Sequence, residues 1–559
     1  MSVRKHINIL ENSIAHFRFD RRGNTATMFA LAILPLMATA GAGIDYGRLM
    51  RARTDLQTSA DQAALDLSQQ AKTSTAEALK ARAQAILAAT SRGRTVTLVA
   101  DPTVDSSTNE LCLQVATNVD TTLMRLVNAS ATTVGVRSCA TAGAGGSGGS
   151  LASGGTVEIA LALDNTGSMS HSDRNGASKI ASLRSAATSF IDLAYPGGQS
   201  VDGVKISLVP FSSAVNVGAG NRNAAWMDGA GQSSIHWENT PKVAGSFSPS
   251  SRFDFFSNLG VSWGGCVEER PGAFALSDQA ATTANPDSLF VPLFAPDEAD
   301  RGDYYFVNNY ISDLGSSICT SGDASDTRDK QHPFFGDGQS KICKYKAAAG
   351  KTLSVSTRRP GPNWSCNSQP VQPLTNNPAS LKSQISAMEA DGSTNLVAGV
   401  MWGWRTISPN GPFANAKSYA DTTNRKILIF MTDGQNYWGA RDSSPDKSDY
   451  SAFGFYWNNR LGQAPVGSGG ALEYVDKQNV RAFLDSKTLT ACANAKAAGV
   501  TIYTIGFSVD SDRIDEQGET LLKNCATTPG NYYKATDGAA ITAAFQDIIT
   551  RISMPRLTR

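Results

Sequence analysis

The chain has 559 residues, too long for one compact core, so about three or four folded pieces are expected. Its charge is nearly balanced, 50 Lys+Arg against 49 Asp+Glu, which removes the electrostatic case for nucleic acid as a main partner. Charged residues are sparse at 18% and glycines number 50, a composition common in exported proteins.

Residues 1–25 read as a basic tail carrying Arg4, Lys5, Arg18, Arg21 and Arg22. From Ala26 to Ile44 no residue is charged, which is the expectation for a transmembrane helix over 26–44 in which Pro35 is tolerated. Arg48, Arg51 and Arg53 follow, so the bias toward a cytoplasmic N-terminus is modest. A cleaved secretory signal with Ala38-Thr39-Ala40 as its cleavage box is the alternative. The next segment favours an anchor, because Leu56, Ala60, Ala63, Ala64, Leu67 and Ala71 continue the helix as one apolar stripe. Ser74-Thr75-Ala76-Glu77 reads as a capping box restarting a second helix through about Ala89, and strand-like runs follow at 95–100, 110–117 and 133–138. A module over 45–139 is expected.

Eight cysteines stand at Cys112, Cys139, Cys266, Cys319, Cys343, Cys366, Cys492 and Cys525, with no Cys-x-x-Cys among them. They are free thiols or, in an oxidising compartment, disulfides. Strand parity supports one pair: Cys112 and Cys139 both fall on the more polar alternate face of their runs, where two strands present them to each other.

An apolar helix, its soluble extension and a small sheet outline a pilin-like α+β module. Arg21-Arg22-Gly23, Ile44-Asp45-Tyr46-Gly47-Arg48 and Leu56-Gln57-Thr58-Ser59-Ala60-Asp61-Gln62-Ala63-Ala64 resemble the N-terminal module of the TadE/TadG-like pilus-assembly proteins. Met28 departs from the pattern of prepilin-peptidase substrates, which carry Glu five residues past the cleaved Gly. The resemblance implies a single-pass inner-membrane protein with a cytoplasmic N-terminus and its bulk in the periplasm or at the cell surface.

Residues 140–155 form a Gly/Ser linker by composition. Beyond it, over 156–555, strand-like runs at 157–163, 205–211, 426–431 and 500–507 alternate with helical runs near 178–194, 379–389, 396–406, 480–498 and 539–552, the pattern of a doubly wound sheet. The first strand delivers Asp164, Thr166 and Ser168 into one turn at its carboxyl end, the edge where such sheets bind ligands. Thr394 opens the 396–406 helix, and Asp433 ends the 426–431 strand. Taken singly, Thr394 is a helix cap and Asp433 a turn former; together with the first turn they make a set of hard oxygen donors suited to Mg²⁺ or Mn²⁺.

These loops resemble the von Willebrand factor A domain and its metal-ion-dependent adhesion site. Asp164, Thr166, Ser168, Thr394 and Asp433 match that family's positions in turn, with Thr166 replacing the usual first Ser. The resemblance implies a metal touched by Thr166, Ser168 and Thr394, with the aspartates acting largely through waters, that captures a carboxylate offered by a protein partner. The expected fold class is therefore α/β: a transmembrane helix with a pilin-like module, then a doubly wound, Rossmann-like von Willebrand A domain.

Roughly 180 residues separate the 205–211 strand from the Thr394 loop, far beyond ordinary connections, which implies a large insertion at about 220–375. It holds Cys266, Cys319, Cys343 and Cys366, whose pairing the sequence leaves open. Its segment Trp263-Gly264-Gly265-Cys266-Val267-Glu268-Glu269-Arg270-Pro271 resembles the matching region of TadG-like proteins. Asp323, Asp326 and Asp329 are a weak calcium signal; their spacing is not that of an EF-hand, and a solvated turn is the better reading. An irregular stretch at about 435–479 contains Trp438, Tyr456 and Trp457, read either as a satellite core or as a partner-binding surface beside the metal.

An enzyme is not expected. An aspartate-nucleophile phosphatase wants a second Asp where Thr166 stands and a Lys in the Thr394 or Asp433 loops, where none occurs. Of the five histidines only His171 lies near the site. The expected role is assembly, anchoring or adhesion in a Flp-type (Tad) pilus, with pilus or secretion-system components and the inner membrane as partners. The alternatives are a minor pilin-like structural subunit and, remotely, a Mg-dependent phosphatase.

Overall fold

The computed structural model of the protein describes residues 24–68, 70–71, 74–91, 94–105, 110–121, 131–141, 156–240, 249–298, 308–311, 345, 361–439, 448–460, 462, 477–553 and 556–558. It divides into two units, Met1–Gly146 with Met554–Arg559, and Ser147–Ser553.

In the first unit, α1 (Asn24–Ser68) and α2 (Ala76–Thr90) cover an antiparallel sheet. The expected stripe of α1 is its buried face: Leu56, Ala60, Ala63, Ala64 and Leu67 pack with Leu79, Ala83 and Leu87 of α2. The cap of α2 is Thr75 rather than Ser74, its side chain accepting from Ala78 N at 3.3 Å. Among the described residues the sheet runs β1 (Val96–Leu98), β3 (Glu110–Asp120), β4 (Ala131–Thr141), β13 (Arg556–Thr558), with β2 (Thr103–Asp105) also on β3. Leu111, Leu113, Val115, Val136 and Ala140 face the helices. The opposite parity carries Cys112 and Cys139, which stand directly opposed in the ladder and are joined by a disulfide. β4 continues two residues into the expected linker, and the rest of that linker lies outside the described residues.

Most side chains of the expected span 26–44 lie outside the described residues. Among the described residues no helix is long and apolar enough to cross a membrane.

The second unit is a mixed α/β fold. Its sheet, among the described residues, has the order β12 (Tyr532–Ala535), β11 (Thr501–Phe507), β10 (Asn424–Thr432), β5 (Thr156–Asp164), β6 (Val204–Phe211), β7 (Val215–Asn216), β8 (Cys266–Val267), with β9 (Gln372–Thr375) also on β6. β12, β11, β10, β5 and β6 are parallel, and β7, β8 and β9 are antiparallel. Both faces are buried, as the alternation in β5 predicts. Val157, Ile159, Leu161 and Leu163 pack under α3 (Lys179–Ala194), α5 (Pro378–Ser386) and α9 (Gly538–Ser553). Ala160 and Ala162 face α6 (Leu396–Ile407), α7 (Lys477–Ala497) and α8 (Glu516–Cys525). Small residues let α6 lie close to the sheet. A Cβ at Gly403 would stand 2.5 Å from Leu428 Cδ1, and one at Gly399 would stand 2.8 Å from the Phe211 ring.

From β5 the chain crosses to β6 on one side and later returns to β10 on the other. The carboxyl ends of β5 and β10 therefore flank the point where strand order reverses, the usual crevice of such sheets.

The insertion joins the α6 side of the core. Phe253, Phe255 and Phe256 of α4 (Arg252–Asn258) pack with Trp263, Phe290 and Phe294 against Trp402 and its neighbours. Cys266–Cys366 closes it, and Cys492–Cys525 ties α7 to α8. Cys319, Cys343, Asp323, Asp326 and Asp329 lie outside the described residues. The 372–375 end of the expected insertion is strand β9, part of the sheet itself.

Candidate metal centre

Three loops meet at the β5–β10 crevice and are stitched by their backbones. Gly167 N donates to Gly392 O at 2.9 Å, and Asp391 N donates to Asn165 O at 2.7 Å. Thr394 and Tyr437 exchange both backbone bonds, at 3.1 and 2.9 Å. Gly392 holds φ +85°, and a Cβ there would stand 2.9 Å from Asn367 Nδ2, so this turn requires glycine.

The side chains of three expected residues form one hydrogen-bonded chain, and a fourth, Asp164, is tied to it through the Thr166 backbone. Thr166 Oγ1 and Ser168 Oγ are 3.1 Å apart, and Ser168 Oγ donates to Asp433 Oδ1 at 2.9 Å. Asp164 is fully buried and accepts from Thr166 N at 2.8 Å and Thr432 Oγ1 at 2.6 Å. Thr394, also buried, is carried beside them by its loop. Asn395 rather than Thr394 caps α6, accepting from Ala398 N at 3.1 Å, which removes the capping explanation for the Thr394 hydroxyl.

Two residues that sequence reasoning passed over complete the electrostatics. Lys179, the first residue of α3, is wholly buried, and its Nζ lies 2.6 Å from Asp433 Oδ2 and 2.6 Å from Asp512 Oδ2. His171 Nδ1 is 2.7 Å from the same Asp512 oxygen. The lysine absent from the Thr394 and Asp433 loops thus arrives from a helix. A local signal existed: a cation in a first helical turn opposes the helix dipole, and that turn holds no acid. Burial would raise the Asp512 carboxyl, but its bonds to Lys179 and His171 hold it below the usual range.

The donor set fits a divalent cation. Among the described residues no cation pairs with Asp164; its donors are neutral, and burial followed by the nearby charge of Asp433 pushes its carboxyl up to about 7. Burial also raises Asp433 despite Lys179. Two buried carboxylates beside two hydroxyls are hard oxygen ligands that Mg²⁺ or Mn²⁺ would hold ionised. A second acidic group, Glu110 with Cys112 and Cys139, offers no thiolate because both sulfurs are in a disulfide.

Of the two readings of the aromatic stretch, the satellite core holds for Trp438 and Tyr456, and the partner-binding one is corrected for them. Trp438 and Tyr456 are 7% and 3% exposed and pack edge to face, and the Trp438 indole donates to Asp449 O at 2.8 Å. Packing with Phe453 and Leu484 makes them core. The Trp457 side chain lies outside the described residues. Among the described residues of this loop the exposed aromatic is Tyr437, at 50%.

Residues 23–66 match the family model of the putative Flp pilus-assembly TadE/G-like proteins. Among solved structures, the chain is similar to the vWF domain of the type V pili tip protein Mfa5 from Porphyromonas gingivalis, at 12% identity and TM-score 0.31, over 71% of this chain and 95% of that one. It is similar to the pilus adhesin SpaC from Lactobacillus rhamnosus GG at 11% identity and TM-score 0.31, over 82% of this chain and 37% of SpaC. A third similarity is to proximal thread matrix protein 1 from the mussel byssus, with a zinc-occupied MIDAS motif, at 9% identity and TM-score 0.27, over 71% and 47%. No curated protein matches the chain. The doubly wound reading rests on the sheet order and not on these superpositions.

Proposed function

We propose that this chain is an envelope protein of a Flp-type pilus system, anchored through residues 26–44, whose α/β unit is a von Willebrand A domain that captures a carboxylate of a protein partner through Mg²⁺. The TadE/G-like match at residues 23–66 supports the pilus setting. The observation that carries the metal reading is the Ser168–Asp433 bond across the strand-order reversal, beside a buried Asp164 whose donors among the described residues are neutral. In this reading Thr166, Ser168 and Thr394 touch the metal, which keeps enough positive charge to accept an outside carboxylate. The role is binding rather than catalysis: Lys179, the cation a phosphoryl-transfer site would present to its substrate, is buried and bonded to two carboxylates.

One observation favours a metal-independent structural subunit: both Asp433 oxygens already have donors. Partner pull-down with and without EDTA, and piliation, in Asp164→Ala and Asp433→Ala strains separate the two. Loss of Mg²⁺-dependent capture in both variants is the expected result. Intact capture and piliation in both would leave the structural role standing.

A further inference from the structure

We propose that Lys179 is a built-in counter-cation of this site, a positioning residue that holds Asp433 out of direct metal contact and so sets how tightly the site takes a metal. The proposal rests on the metal reading above. Burying an ammonium group is costly unless carboxylates surround it, and Lys179 is 0% exposed with Nζ at 2.6 Å from both Asp433 and Asp512. Its place in the first turn of α3 follows directly from the Asp164 loop, after the cap Ser178. Each Asp433 oxygen is therefore engaged, Oδ2 by Lys179 and Oδ1 by Ser168. Among the described residues an incoming metal meets one site carboxylate whose donors are neutral, Asp164, together with neutral hydroxyls.

Few anionic ligands mean a weaker and more electrophilic metal, because affinity for hard cations rises with the number of charged ligands. Lys179 thus trades metal affinity for demand on an outside carboxylate. It also ties the loop after β10 to the loop after β11, where His171 holds Asp512 from the other side.

The test is calorimetric titration of the full chain with Mn²⁺ alone, for wild type, Lys179→Met, Asp433→Asn and the double variant. Lys179→Met should bind Mn²⁺ about tenfold tighter or more, since it frees an Asp433 oxygen. That gain should disappear in the Asp433→Asn background, because it acts through Asp433. Equal or weaker binding by a folded Lys179→Met chain overturns the proposal. So does a gain that persists in full without Asp433, which marks a diffuse charge effect. If Lys179→Met does not fold, Lys179→Gln, which removes the charge while keeping a neutral donor, tests the counter-charge alone: Mn²⁺ binding tighter than wild type and dependent on Asp433 is again expected, and equal or weaker binding overturns the proposal. A wild-type chain that takes up no Mn²⁺ overturns the metal reading itself, and this proposal with it.

Discussion

Ser168 Oγ donates to Asp433 Oδ1 at 2.9 Å, joining the carboxyl ends of β5 and β10 across 265 residues of sequence. The bond fixes one hydroxyl and one carboxylate of the metal reading in a single geometry. Ser168→Ala should weaken Mn²⁺ binding by about tenfold or more, since it removes a ligand of the proposed site. It also leaves a buried carboxylate oxygen without its donor, at a cost of about 1–3 kcal/mol. Calorimetry and urea unfolding read the two effects separately.

Trp438 and Tyr437 are neighbours in sequence with opposite fates. Trp438→Ala should destabilise the α/β unit by about 3–5 kcal/mol, as for other buried aromatic truncations. Tyr437→Ala, at a half-exposed position, should stay within about 0.5 kcal/mol of wild type. Urea midpoints check both, and a Trp438→Ala chain of normal stability would return that residue to the surface reading.

Cys266–Cys366 and Cys492–Cys525 close chain separations of 100 and 33 residues in the same unit. Replacing either pair by Ala should cost several kcal/mol. The longer closure should cost about 1 kcal/mol more, following loop-closure entropy. Comparing the two double variants by urea unfolding tests the difference.

His236 gives the insertion an acid-sensitive step. It is fully buried; Nδ1 donates to Asp228 Oδ2 at 2.7 Å and Nε2 accepts from Arg252 N at 2.9 Å, which fixes the neutral ring. Burial, and after it the Arg252 charge, keep its pKa below 6.5 in spite of Asp228. As pH falls below about 6.5 the unfolded chain takes up a proton that the folded chain refuses, so stability is lost from there down to the folded value. One proton sets an upper bound of about 1.4 kcal/mol per pH unit on the slope in that window. His236→Gln should flatten it in urea unfolding between pH 7.5 and 5.5, and parallel wild-type and variant slopes would contradict the account.

Much of the fold was legible because its signals are local. The β5 alternation, and the runs that became β6, β10 and β11, lie within two residues of the observed strands. Strand parity also brought Cys112 opposite Cys139. α8 and β12 escaped because ten residues and four residues are too short for a period to stand out. The Asp164, Thr166, Ser168 and Asp433 set was readable from strand ends, but Lys179 reaches Asp433 across 254 residues, a distance no local pattern spans. The aromatic loop was ambiguous for another reason: Trp and Tyr serve cores and interfaces alike, and only packing assigned Trp438 and Tyr456.

In the proposed reading three loops at the β5–β10 crevice form one metal site. Crystals of the protein soaked in Mn²⁺ and measured at the manganese absorption edge test it most directly. The account predicts a single anomalous peak in contact with the hydroxyls of Thr166, Ser168 and Thr394, lost in Asp164→Ala. Full soaking with no peak at that crevice, or a peak that survives Asp164→Ala, would contradict it.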